Sequence, residues 1–342
     1  MPNIIRSFGR WASTGVLAAA LLLSGPTGAL AGGEAALSGS PSLQPALDPV
    51  LWDQSTAGGT GFSITVSSKF EAPLAAYDSQ AADDFENAGS TPWEITAIRA
   101  YGTYEGGTGS NSVNSLLVQI YADDEGLPGT RLISQTIASG AITGLATGEF
   151  TVNLSPSLVV GPGRYWLSVQ AYKPDFLTYG RQWEWYEKED QVLSPSVWMQ
   201  PGNAYGKNCL IFQPRVDVCD QPTNTVNDDL VFAVFGKIAA SNPVPVASNL
   251  TPSVKPTGGA AFQLVVKGFN FASGAKVVWQ GSELTPSASS GSRLTVTVPS
   301  GYIATGGTAA VKVRNPGPGG GDSNALTFTI GARIFHPIAH RP

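Results

Sequence analysis

The sequence predicts an all-β protein made of two successive β-sandwiches. From Val50 almost to the end, apolar and polar residues alternate with period two, which places one face of each strand in a core and the other near water. No amphipathic run of helical period and useful length interrupts that pattern. Of 342 residues, 40 are Gly and 25 are Pro, while only 13% are charged, about half the usual share. Such a composition fits short strands joined by tight turns.

The chain opens with a segment that reads as a signal peptide over residues 1–31. Arg6 and Arg10 form a positive start, residues 16–23 are apolar, and Ala29-Leu30-Ala31 fits the small-x-small cleavage rule. The apolar run falls short of the roughly 20 residues that cross a bilayer, and no later stretch approaches that length. The expected product is therefore secreted or held at the cell surface, with no transmembrane segment in the mature chain. Residues 32–47 are small, polar and Pro-bearing, and read as a flexible leader.

The first sandwich is expected over residues 48–238, jelly-roll-like and antiparallel. Leu116, Val118 and Ile120 share one strand face. Tyr165, Leu167, Val169 and Ala171 lie opposite Trp166, Ser168, Gln170 and Tyr172, and Leu230, Phe232 and Val234 repeat the alternation. Turn signals separate these runs, among them Gly126-Leu127-Pro128-Gly129, Gly161-Pro162-Gly163 and Gln200-Pro201-Gly202. Residues 239–246 hold Pro243 and Pro245, which exclude a helix or central strand and mark a stiff linker. Residues 247–331 then carry several short strands with tight turns, a length and pattern that suit a sandwich of immunoglobulin size. The tail, 332–342, reads as a frayed terminus.

Charge divides along the same boundary. Without the signal segment the chain carries a net charge of −7. From Pro245 onward there are eight basic residues against Glu283 and Asp322, which leaves the front part at −13. An acidic module beside a mildly basic one supports two domains. The overall negative charge argues against nucleic acid as a partner.

The rear segment carries a family resemblance. Leu250-Thr251-Pro252-Ser253, Gly258-Gly259, Leu264-Val265-Val266-Lys267-Gly268-Phe269, Val277-Val278-Trp279, Leu294-Thr295-Val296-Thr297-Val298-Pro299, Val311-Lys312-Val313-Arg314-Asn315-Pro316 and Asn324-Ala325-Leu326-Thr327-Phe328 follow in the order of an IPT/TIG domain, which this segment resembles over about 245–331. The resemblance implies an early-set immunoglobulin-like fold that serves as a spacer or adhesion module, with no catalytic residues to transfer. In its Asp83-Asp84-Phe85, Gly126-Leu127-Pro128-Gly129 and Gln182-Trp183 segments the front module is similar to β-sandwich modules of other exported bacterial proteins, a likeness that carries no activity with it.

The chemistry is bounded first by what is missing. The only histidines, His336 and His340, lie in the final tail, so the sequence excludes a Ser-His-Asp or Cys-His arrangement inside either sandwich. Cys209 and Cys219, ten apart among turn-forming residues, are expected to form a disulfide in an oxidising compartment. The leading site is aromatic: Trp183, Trp185, Tyr186, Trp198 and Tyr205 with Gln182 as a ligand-binding set, because flat rings stack on sugar faces while amides bond hydroxyls. The competing fate of each ring is the core, where large aromatics usually belong. On a strand, Trp183, Trp185, Glu187 and Glu189 share one face and Glu184, Tyr186 and Lys188 the other.

A second expectation is a cation site. Asp83-Asp84 and Asp228-Asp229 would meet if their strand ends are neighbours, and calcium is the natural ion outside the cell; solvated strand-edge acids are the alternative. Asp123-Asp124-Glu125 lacks EF-hand spacing and reads as a hydrated hairpin tip. No other cofactor is implied. The sequence thus points to a non-enzymatic surface or matrix protein that binds polysaccharide or a cell-surface component. The alternatives are a carboxylate-based glycan hydrolase using Glu187 and Glu189, in which Tyr186 and Lys188 break the expected acid spacing, and a purely structural envelope component.

Overall fold

The computed structural model describes residues 47–55, 64–105, 113–179, 181–188, 190–216, 218–219 and 229–331. The expected signal peptide, most of the leader, Glu189, Asp228 and the tail with His336 and His340 lie outside these residues. Among the described residues the chain is almost all strand, and its helical content is the single turn Phe176–Tyr179 and the 3-10 turns Ala72–Tyr77, Ser139–Ala141 and Ser300–Ile303. None of the described helices is long and apolar enough to cross a membrane.

The front sandwich faces two sheets across one core. The smaller runs in the order Val50–Asp53, Phe232–Ile238, Trp93–Ala100 and Phe150–Val160. The larger runs Gln213–Pro214, Val197–Met199, Gln80–Asn87, Gly163–Lys173, Ser115–Asp123 and Pro128–Ala138, with Ser68–Phe70 pairing in parallel onto Gly163–Lys173. Neighbours in space are mostly far apart in sequence, as in a jelly roll. A third sheet, Asp229–Leu230, Trp183–Lys188 and Ile64–Val66 with Gly102–Tyr104, closes one end of the core.

Alternation explains the core and also shows its limit. Tyr165, Leu167, Val169 and Ala171 enter the main core beside Phe85, Ile98, Leu116, Val118 and Phe232. Their opposite neighbours do not face water as expected. Trp166 is fully buried in a satellite cluster with Ala82, Tyr121 and Val197, and Ser168 and Gln170 are buried as well. The reason is a cover of side chains on the outer face, Val197 from a neighbouring strand of the same sheet together with Leu127 and Phe212. The covered polar groups are satisfied there: Ser168 Oγ donates to the Ala81 carbonyl at 2.8 Å and Gln170 Nε2 to the Ser79 carbonyl at 2.8 Å.

The rear sandwich pairs Val246–Thr251, Phe262–Phe269, Arg293–Val298 and Ala288–Ser289 against a sheet of Val254–Pro256, Leu326–Gly331, Gly307–Asn315, Lys276–Trp279 and Ser282–Leu284. Leu264, Val266, Val296, Val277, Trp279, Val311 and Phe328 fill the space between them. This is the immunoglobulin-like arrangement.

The two sandwiches meet through backbone. A Cβ placed on Gly291 would stand 1.6 Å from the Pro162 carbonyl oxygen, so only glycine permits that approach. Asn270 Oδ1 accepts from the Gly161 amide at 3.3 Å and from the Tyr165 hydroxyl at 3.4 Å. Glu125 pairs with Lys267 of the rear sandwich, so the acidic tip docks on its neighbour rather than standing alone in water. The linker is tied on both sides: the Ala239 amide donates to Pro92 and the Asn242 amide to Pro318, each at 2.8 Å.

Candidate functional site

The strand Trp183–Lys188 decides which aromatic residues can meet a ligand. Trp183 and Trp185 point inward and are fully buried; their ring centroids lie 5.6 Å apart, with Phe150 and Phe232 beyond them. Each indole N–H has a partner, Gly148 carbonyl at 2.9 Å for Trp183 and Val231 carbonyl at 2.8 Å for Trp185. Trp198 is 2% exposed and donates to the Val66 carbonyl. These three rings leave no face for a sugar, which corrects the expectation for three of the five aromatic residues. The physical reason is transfer: a large ring removed from water stabilises the fold by roughly 1.5–3 kcal/mol, and the core had room for all three.

Gln182, Tyr186 and Tyr205 stay half-buried at the surface. Antiparallel register sets Glu184 opposite Thr103, and the Glu105 amide donates to the Gln182 carbonyl at 3.0 Å. Thr103, Glu105, Gln182, Glu184 and Tyr186 therefore share the outward face of the small sheet. Gln182 Nε2 donates to Glu184 Oε1 at 3.3 Å. Burial pushes the Glu184 carboxyl up to about 7, against the hydrogen bond from Gln182, and the nearby Glu105 charge adds to the rise.

Tyr205 comes to this face on a loop that is held from three directions. Its amide donates to Gln200 Oε1 at 2.8 Å, the Ala204 amide reaches the Ala76 carbonyl, and a Cβ on Gly202 would stand 2.3 Å from that same oxygen. The disulfide Cys209–Cys219 closes the chain directly behind the loop. The Tyr205 ring packs edge-on against Tyr77 at 5.4 Å, with Trp198 beneath it at 6.2 Å. Burial raises its phenol to about 12, with smaller contributions from Tyr77, Glu105 and Glu184. The result is an aromatic pair beside an amide and two carboxyl groups.

The remaining acids are structural. Glu187 is 3% exposed, pairs with Arg215 at 2.9 Å and accepts from Thr65 Oγ1 at 2.6 Å, so this one of the two carboxylates considered for hydrolysis is held inside the fold, while Glu189 lies outside the described residues. Asp83, Asp84 and Asp229 do converge, as the paired-acid reading expects. Yet their oxygens are engaged by donors: Asp83 Oδ2 accepts from the Leu230 amide at 2.6 Å and Gln54 Nε2 at 2.7 Å, Asp84 from the Ser194 amide at 3.1 Å, and Asp229 Oδ2 from the Val192 amide at 2.5 Å. Burial, with the charges of Asp229 and Asp84, raises Asp83 well above the usual carboxylate range, and burial raises Asp84 to about 7 against the pull of Ser194 and Arg164. N–H donors thus engage the three described acids, and Asp228, the fourth acid of the expected calcium site, lies outside the described residues. Among the described residues no group of three acid, His or Cys side chains is placed to hold a metal.

Glu105 and Tyr77 were missed by the sequence reading. The first needs the cross-strand register to be placed beside Gln182, and the second sits in an Ala-rich 3-10 turn that gives no periodic signal.

Residues 245–330 match the family model of the IPT/TIG domain, and the rear sandwich is such a domain. Two solved structures are similar to parts of the chain. The TIG domain of human Nuclear factor of activated T-cells, cytoplasmic 4, is similar at 22% identity over 28% of this chain and 95% of that one, with a TM-score of 0.22. The cysteine protease and lectin-like domains of a surface layer associated protein of Clostridium difficile are similar at 13% identity over 47% of this chain and 32% of that one, with a TM-score of 0.30. No curated protein matches the chain.

Proposed function

We propose that this protein is a non-enzymatic binding component of a cell surface or extracellular matrix, with polysaccharide as the ligand of its front sandwich and the TIG domain as a spacer or adhesion module. The observation that carries the reading is that Tyr205, packed on Tyr77, lies within electrostatic reach of Glu105 and Glu184, the latter held by Gln182 on the outward face of the strand Trp183–Lys188. A flat ring takes the apolar face of a pyranose, while amide and carboxyl groups take its hydroxyls. The disulfide and the signal-like start favour an oxidising compartment. A carboxylate buried in an ion pair, as Glu187 is, favours binding over hydrolysis.

Pull-down on insoluble glycans and affinity electrophoresis in soluble ones test this directly. Retention by at least one polysaccharide is expected, with Tyr205→Ala and Gln182→Ala each weakening it by about five- to tenfold, the worth of one stacking or hydrogen-bonding contact. Retention by none, or retention indifferent to both variants, removes the assignment of this face. Release of reducing sugar from the retained glycan would replace the binding reading with the hydrolytic one.

A further inference from the structure

We propose that the TIG domain carries a second ligand site, a cleft for a neutral oligosaccharide, separate from the face of the front sandwich. The cleft is an open depression of about 400 Å³ at one end of the rear sandwich, and its walls include Gln280, Ser282, Gly301, Tyr302, Thr305 and Thr308. That volume lies within the roughly 300–1,000 Å³ usual for small-ligand sites.

Chemistry selects the ligand class. None of the residues lining the cleft is acidic or basic, so nothing there compensates an anionic or cationic ligand. Hydroxyl groups of Ser282, Thr305 and Thr308 alternate with bare glycine backbone, a lining that favours a hydroxyl-rich molecule over an apolar one. One aromatic ring serves as the platform. Tyr302 is half-buried and leans on the buried Trp279, with centroids 6.2 Å apart, so its orientation is fixed from behind.

The walls are held independently of any ligand. Gln280 and Gly281 form the two-residue turn between Lys276–Trp279 and Ser282–Leu284, both with positive φ, 47° and 92°. The Gln280 side chain reaches across to donate to the Thr308 carbonyl at 2.9 Å, and its amide donates to the Ala310 carbonyl at 2.9 Å. The Tyr302 amide closes the opposite turn on the Pro299 carbonyl at 3.0 Å. A site of this kind binds without first ordering its own loops.

Gly301 provides a clean test, because a Cβ there would meet no protein atom within 4 Å. A leucine at that position is expected to project into open space beside the cleft and obstruct it without a backbone clash. The experiment titrates the full chain with cellohexaose, maltohexaose, mannohexaose and an oligogalacturonate, read by calorimetry and by saturation-transfer NMR. The expected result is that a neutral hexasaccharide binds and that Gly301→Leu and Tyr302→Ala each weaken it by about tenfold or more, while Gln263→Ala, on the other sheet of the same sandwich, changes it less than about twofold. Equal melting temperatures for the parent and Gly301→Leu show that the plug leaves the fold intact; a lowered one shifts the test to Ser282→Ala, expected to weaken binding by about threefold. The proposal is overturned if none of the three neutral sugars binds, if only the oligogalacturonate does, or if binding survives both cleft variants. Loss with Tyr205→Ala alone overturns the cleft and leaves the front face as the site.

Discussion

At the residue scale, the buried carboxyl groups set how the fold responds to pH. In an unfolded chain Asp84 and Glu184 release their protons near pH 4; in the folded protein both hold them up to about 7. The folded state therefore binds more protons across that interval, so stability declines as pH rises from about 4 to 7 and levels off above it. Asp83 acts in the same direction. The melting temperature is expected to be higher at pH 5 than at pH 8, and Asp84→Asn combined with Glu184→Gln is expected to remove much of that slope. A melting temperature that climbs from pH 5 to pH 8 contradicts the assignment.

At the element scale, Trp183–Lys188 shows what a sequence reveals and what it withholds. Period two correctly pairs Trp183 with Trp185 and sets Glu184 and Tyr186 opposite them. It does not say which of the two faces the core claims, and that choice turns indoles from a binding platform into filling. Gly163–Lys173 gives the same lesson in reverse: Tyr165, Leu167, Val169 and Ala171 are legible as core, whereas the burial of Trp166 depends on Val197 and Phe212, brought onto that face from about 30 and 45 residues away, and that of Ser168 and Gln170 on the neighbouring chain at Ala81 and Ser79. The Glu187–Arg215 pair also belongs to this element. Removing one member strands a buried charge, so Arg215→Met is expected to lower stability by about 3–5 kcal/mol, and adding Glu187→Leu should recover most of the loss. Urea titration of both single variants and the double variant decides it, since a double-variant loss equal to the sum of the two single losses would mean the two charges are not coupled.

At the scale of the whole molecule, two cores act as one body. Gly291 meets Pro162 backbone to backbone, the Asn270 side chain accepts from the Gly161 amide and the Tyr165 hydroxyl, and the linker is bonded at both ends. Composition locates the boundary through its prolines and the change of charge, but the docking rests on one glycine and one asparagine that carry no such signal. Gly291→Ala forces the backbones apart, and small-angle scattering should show a longer particle while each sandwich keeps its strands. An unchanged scattering profile would mean that the joint yields without opening. The Cys209–Cys219 bond has a consequence of another kind. It fastens the stretch that presents Tyr205, and thiol-rich fluid such as the cytosol would sever it. On the proposed reading, reduction is expected to loosen the support of the Tyr205 loop and weaken glycan retention, which a pull-down with and without a thiol reductant checks.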